Sequence, residues 1–307
     1  RNTELFEKFF PAEFILEGKD QIRGWFNLLM VASMLSMSRP SFKKVYIHGF
    51  VQDALVRKMS KSLGNYILPG EVIDQYGADT LRYYMIGGAA PGLDINYNFD
   101  DIKLKYKNLG ILWNLQNYFI DLFRTTGLKP RKINADKLEL EEEYILAKLQ
   151  ETILKATDAF DTYRLNEIPW IVETIFLETS RTYVQQIRDK VSQGDDEEKQ
   201  VVVDVLYHLL LTSLKLLAPI IPYLTEELYQ DLKKELSHKD LKEESIHHCT
   251  WPKVDKTYVD PQLITEVEFA KDVMQAILAG RENLRLGVRW PLKEVVIVTD
   301  DKALQDA

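Results

Sequence analysis

The chain has 307 residues and a formal charge of -8, with 46% hydrophobic and 28% charged residues. That is ordinary globular composition, enough for one large or two ordinary domains of ~100–200 residues, and it excludes wholesale disorder. A single Cys excludes a disulfide-stapled secreted fold and points to a reducing, cytoplasmic compartment.

The excess negative charge is uneven. Residues 1–100 hold 11 Lys and Arg against 11 Asp and Glu, so residues 101–307 carry all of it. An acidic background does not attract nucleic acid in bulk, so any RNA binding must use a local basic face. The most apolar run, residues 201–224, contains Asp204, His208 and Lys215 and does not read as a membrane span. The sequence starts Arg1-Asn2-Thr3-Glu4, without an initiator Met or an apolar leader core, and the expectation is a processed chain or a fragment.

In chain order, Phe14-Ile15-Leu16-Glu17 is a short apolar run ending at Gly18 and reads as a buried strand. Residues 20–37 read as a helix with Trp25, Leu28, Leu29, Ala32 and Leu35 on one face. Residues 44–50 are a second strand, so the three form a βαβ unit with a parallel sheet. A polar loop at 57–68 contains Gly64 and Asn65. Short helices follow near 69–76 and 79–86, then a Gly/Ala/Pro break at 87–92. From Asn98 the spacing predicts long helices at 99–126, 138–162, 165–191, 196–217, 222–236 and 261–285, with Asn98 and Asp101 as a capping-box-like start. Val295-Val296-Ile297-Val298 reads as a strand, which needs a partner.

The sharpest motif is Lys58-Met59-Ser60-Lys61-Ser62. Two lysines with hydroxyls between them, on a Gly-containing loop beside a βαβ unit, suit a polyphosphate. Ammonium groups, hydroxyls and loop amides all offer donors to phosphate oxygens. A solvated basic loop is the plain alternative for any Lys/Ser-rich pentamer. Glu17, Asp20 and Gln21 follow a strand end, where open α/β sheets bind ligands. Asp20 alternatively caps the next helix, and Trp25 alternatively packs in the core. His247-His248-Cys249 lacks the further ligands of a structural zinc site, so no metal is expected. The acidic runs 139–143 and 195–198 read as solvated helix starts.

These residues resemble the class I aminoacyl-tRNA synthetases. Arg57-Lys58-Met59-Ser60-Lys61-Ser62-Leu63-Gly64-Asn65 looks like the family's second signature, continued by Tyr76-Gly77-Ala78-Asp79-Thr80-Leu81-Arg82. Glu17-Gly18-Lys19-Asp20-Gln21-Ile22-Arg23-Gly24-Trp25-Phe26 is similar to the isoleucine branch, where valine and leucine relatives differ. Leu217-Ala218-Pro219-Ile220-Ile221-Pro222, Ser245-Ile246-His247-His248 and Trp251-Pro252 resemble that branch's helical anticodon-binding domain. Arg289-Trp290-Pro291-Leu292 resembles the opening of its C-terminal region. The wording is closest to the archaeal and eukaryotic style, and the resemblance covers essentially the whole chain.

The resemblance implies a mostly α fold: a partial Rossmann-type α/β segment over residues 1–97, then a helical-bundle anticodon-binding domain over 98–286, with 287–307 opening a further region. It implies activation of isoleucine with ATP, accompanied by Mg2+, and transfer to tRNA(Ile) by a monomer without a membrane partner. Lys58 and Lys61 then stabilise developing phosphate charge, which is usually the largest catalytic effect. Lys58, Ser60, Lys61 and Ser62 bind ATP, while Glu17, Gly18, Asp20, Gln21 and Trp25 hold the aminoacyl-adenylate. Arg181, Arg188, Arg281, Arg285 and Arg289, with Lys233 and Lys234, are candidate RNA contacts, with ion pairing or plain exposure as the alternative for each. The first signature, His-Ile-Gly-His, and the inserted editing domain do not occur, so the expectation is a C-terminal fragment inactive alone. Two rivals stay open: the valine branch, and a non-catalytic tRNA-binding module. One position departs from the pattern. Val56 stands where the family has Gly, and a β-branched residue resists the positive φ that Gly permits, so the backbone there is either ordinary or distorted.

Overall fold

The structure is a computed structural model and describes residues 3–59, 61–236, 241–296 and 298. Helix α1, Thr3–Phe9, precedes strand β1, Ile15–Gly18. A 3-10 turn at Lys19–Ile22 and helix α2, Trp25–Met37, lead to strand β2, Val45–His48. β1 and β2 run parallel, in register from Ile15↔Val45 to Gly18↔His48, as the strand–helix–strand pattern predicts. Two details differ from expectation. The helix starts at Trp25 because Gly24, at φ -104° and ψ -108°, separates it from the 3-10 turn. Half of the strand residues are exposed, and so are Leu28 and Leu35 at 66% and 83%, while Phe26 and Ser33 face inward. A two-stranded sheet offers too little apolar area to cover a helix of 13 residues along a broad stripe.

Strand β3, Val51–Gln52, leads into the lysine loop; helices α3, Pro69–Tyr76, and α4, Ala78–Gly87, follow, and strand β4, Ile95–Asn96, pairs parallel with β3. Val72, Tyr84, Tyr97 and Ile102 form a small core under this region. Helix α5, Phe99–Thr126, begins at Asn98, whose Oδ1 accepts the Asp100 amide at 2.9 Å, and ends at left-handed Gly127. The cap thus works through Asp100 rather than Asp101.

The remaining helices are α6, Leu140–Asp161; α7, Ile168–Glu178; α8, Val184–Gln186; α9, Arg188–Gln193; α10, Asp196–Leu217; α11, Pro222–Leu236; and α12, Pro261–Asn283. One helix was expected over 165–191; a π-helical turn at Thr179–Tyr183 and a break at Ile187 divide it. A capping box does form at α10, where Asp195 accepts the Glu197 and Glu198 amides and Glu198 accepts the Asp195 amide. Helices α5, α6, α7, α10 and α11 share one large core. By length and composition α10 is apolar enough to cross a membrane, contrary to the sequence reading, and 72% of that window is buried in the bundle. The described part of 295–298 joins no strand, since no neighbouring strand lies beside it among the described residues.

The acidic start of α6 is not the solvated face expected. Glu142 is fully buried, accepting Lys190 Nζ at 2.7 Å and Tyr183 Oη at 3.2 Å, while Lys190 also pairs with Glu139 and Glu141. The α/β part is joined to the bundle through α4. Asp79 accepts the Leu224 amide at the start of α11, and Arg82 Nε donates to Ile220 O at 2.9 Å. Tyr83 Oη donates to Pro169 O and to the buried Glu173, which also accepts Lys105 and Asn108.

Candidate functional site

Strand β1 delivers Glu17 and Gly18 to its end, and the 3-10 turn places Asp20 and Gln21 directly beyond. A Cβ on Gly18 would lie 2.6 Å from Asp20 Oδ1 and 3.3 Å from the His48 ring, so a side chain there would displace both. Asp20 is exposed and does not cap α2. Instead Gln21 Oε1 accepts the Trp25 amide at 3.3 Å, and Gln21 Nε2 donates to Asp20 at 3.1 Å. Trp25 is 42% exposed and tilted against Phe26 at 5.4 Å, so it is not a core tryptophan. The structure thus brings Glu17, Gly18, Asp20, Gln21 and Trp25 together, with His48 across the register from Gly18.

The lysine loop grows from a tight hairpin in which Gln52 bridges Lys58. The Val56 amide donates to Asp53 O, and the Asp53 amide donates to Arg57 O, both at 2.9 Å. This is a type I turn followed by a left-handed bulge residue, the usual pattern of a three-residue hairpin loop. The left-handed position falls on Val56, at φ 62°. Glycine is the low-strain choice there, so the departure seen in the sequence does strain the backbone.

Asp53 holds the turn. Its Oδ1 accepts the Leu55 and Arg57 amides at 3.0 and 2.9 Å, and its Oδ2 accepts Arg57 Nε and Asn65 Nδ2 at 2.9 Å each. These donors, Asn65 first and then Arg57, hold its carboxyl well below the usual range. Lys58 is exposed and Met59 half-buried above an apolar cavity of about 350 Å³, lined also by Tyr66, Val72 and Tyr97. Ser62 is exposed; Lys61 opens a 3-10 turn to Leu63, but its side chain, like all of Ser60, lies outside the described residues. Asp53 had no mark in the sequence beyond its place four residues before Arg57. Asp94, which reaches both Lys19 and Phe50, had none, because its partners lie 75 and 44 positions away.

The arginines separate into two groups. Arg181 and Arg188 are exposed along α7–α9, and Arg285 and Arg289 are exposed beyond α12. Arg281 is buried, and its Nη2 donates to Gly287 O at 2.7 Å, Val288 O at 2.9 Å and also Trp290 O, so it organises a turn instead of offering charge to RNA. Lys233 Nζ donates to Glu243 O at 2.8 Å. Ser245 caps the turn holding His247 and His248, and no group of three metal-ligating side chains gathers among the described residues.

Residues 1–98 match the family described as tRNA synthetases class I (I, L, M and V), and residues 142–297 match the anticodon-binding domain of tRNA ligase. The chain is 37% identical over 303 residues to the isoleucine–tRNA ligase of Methanosarcina barkeri, covering 97% of this chain and 28% of that protein. It is 34% identical over 311 residues to that of Pyrococcus horikoshii, covering 29% of it. The chain therefore spans less than a third of the length of these relatives. Among solved structures, the methionyl-tRNA synthetase of Mycobacterium tuberculosis in complex with methionyl-adenylate superposes with a TM-score of 0.65 at 20% identity, over 80% of this chain and 49% of that one. The agnB2 LeuRS of Agrobacterium radiobacter K84, in a ternary complex with tRNA and LeuAMS, gives 0.65 at 23% identity, over 82% and 30%. At those identities the likeness is one of fold.

Proposed function

This chain belongs to the class I tRNA synthetases, and from that membership we propose that it is part of an isoleucine–tRNA ligase. Residues 1–97 supply the lysine loop and part of the adenylate pocket, and residues 98–286 the anticodon-binding bundle, with 287–307 opening a further region. What supports the reading is the lysine hairpin, fixed by Asp53 beside a parallel βαβ unit, within a chain similar along its length to isoleucine–tRNA ligases.

Isoleucine's carboxylate attacks the α-phosphate of ATP and pyrophosphate leaves; a 3′-terminal hydroxyl of tRNA(Ile) then attacks the carbonyl of the isoleucyl-adenylate, taking the aminoacyl group and releasing AMP. Lys58 and Lys61 stabilise the phosphate charge as it develops, with Mg2+ accompanying ATP as part of the substrate. Ser60 and Ser62 add donors in the same loop. Glu17, Gly18, Asp20 and Gln21 hold the adenylate, and exposed Trp25 forms a wall for the isoleucine side chain. Arg181, Arg188, Arg285 and Arg289 provide the local positive face for tRNA, and the working enzyme is a cytoplasmic monomer.

Isoleucine-dependent ATP–pyrophosphate exchange by the full-length enzyme, with valine as comparison, tests this reading. Exchange with isoleucine at kcat/KM about 100-fold above valine is expected, the scale of discrimination that one methylene gives. Exchange driven equally by valine, or by neither amino acid, would refute it.

A further inference from the structure

Two segments assigned to different substrates meet at one carboxylate. Asp94 Oδ1 accepts Lys19 Nζ at 2.6 Å and the Phe50 amide at 2.7 Å, and Oδ2 accepts Gln52 Nε2 at 3.2 Å. Lys19 lies within the segment 17–21 that leaves β1. Phe50 and Gln52 open the hairpin toward Lys58, with which Gln52 is bridged. The Lys19 ammonium also sits 5.1 Å from the centre of the Phe50 ring.

The backbone fixes this carboxylate independently of Lys19. The Ile95 and Tyr97 amides donate to Phe50 O and Gln52 O, both at 2.8 Å. Gly49 packs so closely that a Cβ would lie 2.1 Å from Leu93 O and 2.7 Å from the Asp94 amide. The ion pair itself is partly exposed, with side-chain exposures of 35% and 25%, and pairs of this kind contribute little to global stability. What the contact does is geometric: it ties the end of β1 to the base of the lysine hairpin.

We propose that Asp94 is a positioning residue that holds the amino-acid segment and the lysine hairpin in one reacting geometry. Its kinetic consequence rests on the proposed activation of isoleucine; the contact itself does not. Asp94 acts through Lys19, Phe50 and Gln52 on segments that bind different substrates. Its loss therefore disturbs alignment more than either affinity, and a misplacement of ~1 Å costs on the order of 100-fold in rate.

The test is Asp94→Asn in the full-length enzyme, which keeps the size and an acceptor but removes the charge facing Lys19. In isoleucine-dependent ATP–pyrophosphate exchange, kcat should fall about 10- to 100-fold while KM for isoleucine and for ATP stays within about threefold. Lys19→Met should do the same, and the double variant should be no slower than the slower single, because both break one contact. Losses that multiply, or a kcat within about threefold of wild type, would overturn the proposal. Hydrogen–deuterium exchange on the 307-residue chain reads the contact without substrate. Asp94→Asn should speed exchange in both 17–22 and 50–58, and Lys19→Met in 17–22, while α10 keeps wild-type protection; unchanged exchange in 17–22 in either variant would overturn it. If the wild-type full-length enzyme supports no isoleucine-dependent exchange, the functional reading fails while the deuterium result still decides the contact.

Discussion

Val56 carries a left-handed backbone on a β-branched residue that is 61% exposed, so no packing offsets the strain. Val56→Gly should remove about 1–2 kcal/mol of strain, reduced by glycine's greater entropy loss, for a net gain of about 1 kcal/mol in local stability. Exchange of the Val56 and Arg57 amides, both bonded to Asp53, should slow about fivefold; faster exchange would contradict the strained turn. Asp53 gives the loop a pH signature. Its folded pKa lies below the unfolded value of ~3.9, so its contribution is complete above that value and is lost as pH falls through the folded one. Loop-amide protection should survive to about pH 4 and fall away only below it, while Asp53→Asn should flatten that dependence. The sequence left the backbone at Val56 either ordinary or distorted, and only its left-handed φ decides between them. The Asp53 clamp was not legible in the sequence, because a carboxylate shows its donors only after the chain has turned back to Asn65.

At the scale of elements, α4 caps α11 from 145 positions away, through Asp79 and the Leu224 amide. Asp79→Ala should cost about 1–2 kcal/mol, the range of a lost helix cap, measured by urea unfolding. The Glu142–Lys190 pair predicts a larger effect. Lys190→Met leaves a fully buried carboxylate without its cation and should cost about 3–5 kcal/mol, read as a lower unfolding midpoint. A loss below about 1 kcal/mol would contradict a buried charge pair between Glu142 and Lys190. The helices themselves were well marked. Apolar periodicity gave α10 and α11 their observed bounds, whereas the π turn at Thr179–Tyr183 left no trace, because the periodicity on either side of it continues. The expected buried face of α2 failed because it depends on what lies beside it, which local pattern does not encode.

For the whole molecule, net charge and local charge oppose each other. Residues 101–307 are acidic, yet Arg181 and Arg188 stand exposed on the bundle. Binding of tRNA(Ile) should therefore weaken steeply with salt, and Arg181→Ala with Arg188→Ala should reduce the log–log salt slope by about 2. Arg281→Ala should leave the slope unchanged, since that guanidinium is already bonded to backbone carbonyls. The family, the βαβ unit and the lysine loop were legible because short strings and local periods carry them; the contacts joining loop, strand and bundle were not, because they span 40 to more than 100 positions. The central claim is that this loop serves isoleucine activation, and single-turnover formation of isoleucyl-adenylate by the full-length enzyme tests it most directly. Lys61→Ala should slow that step about 10²–10³-fold, with isoleucine affinity within about threefold of wild type, because its charge matters most as pyrophosphate departs. An adenylate rate within a few-fold of wild type would contradict the account.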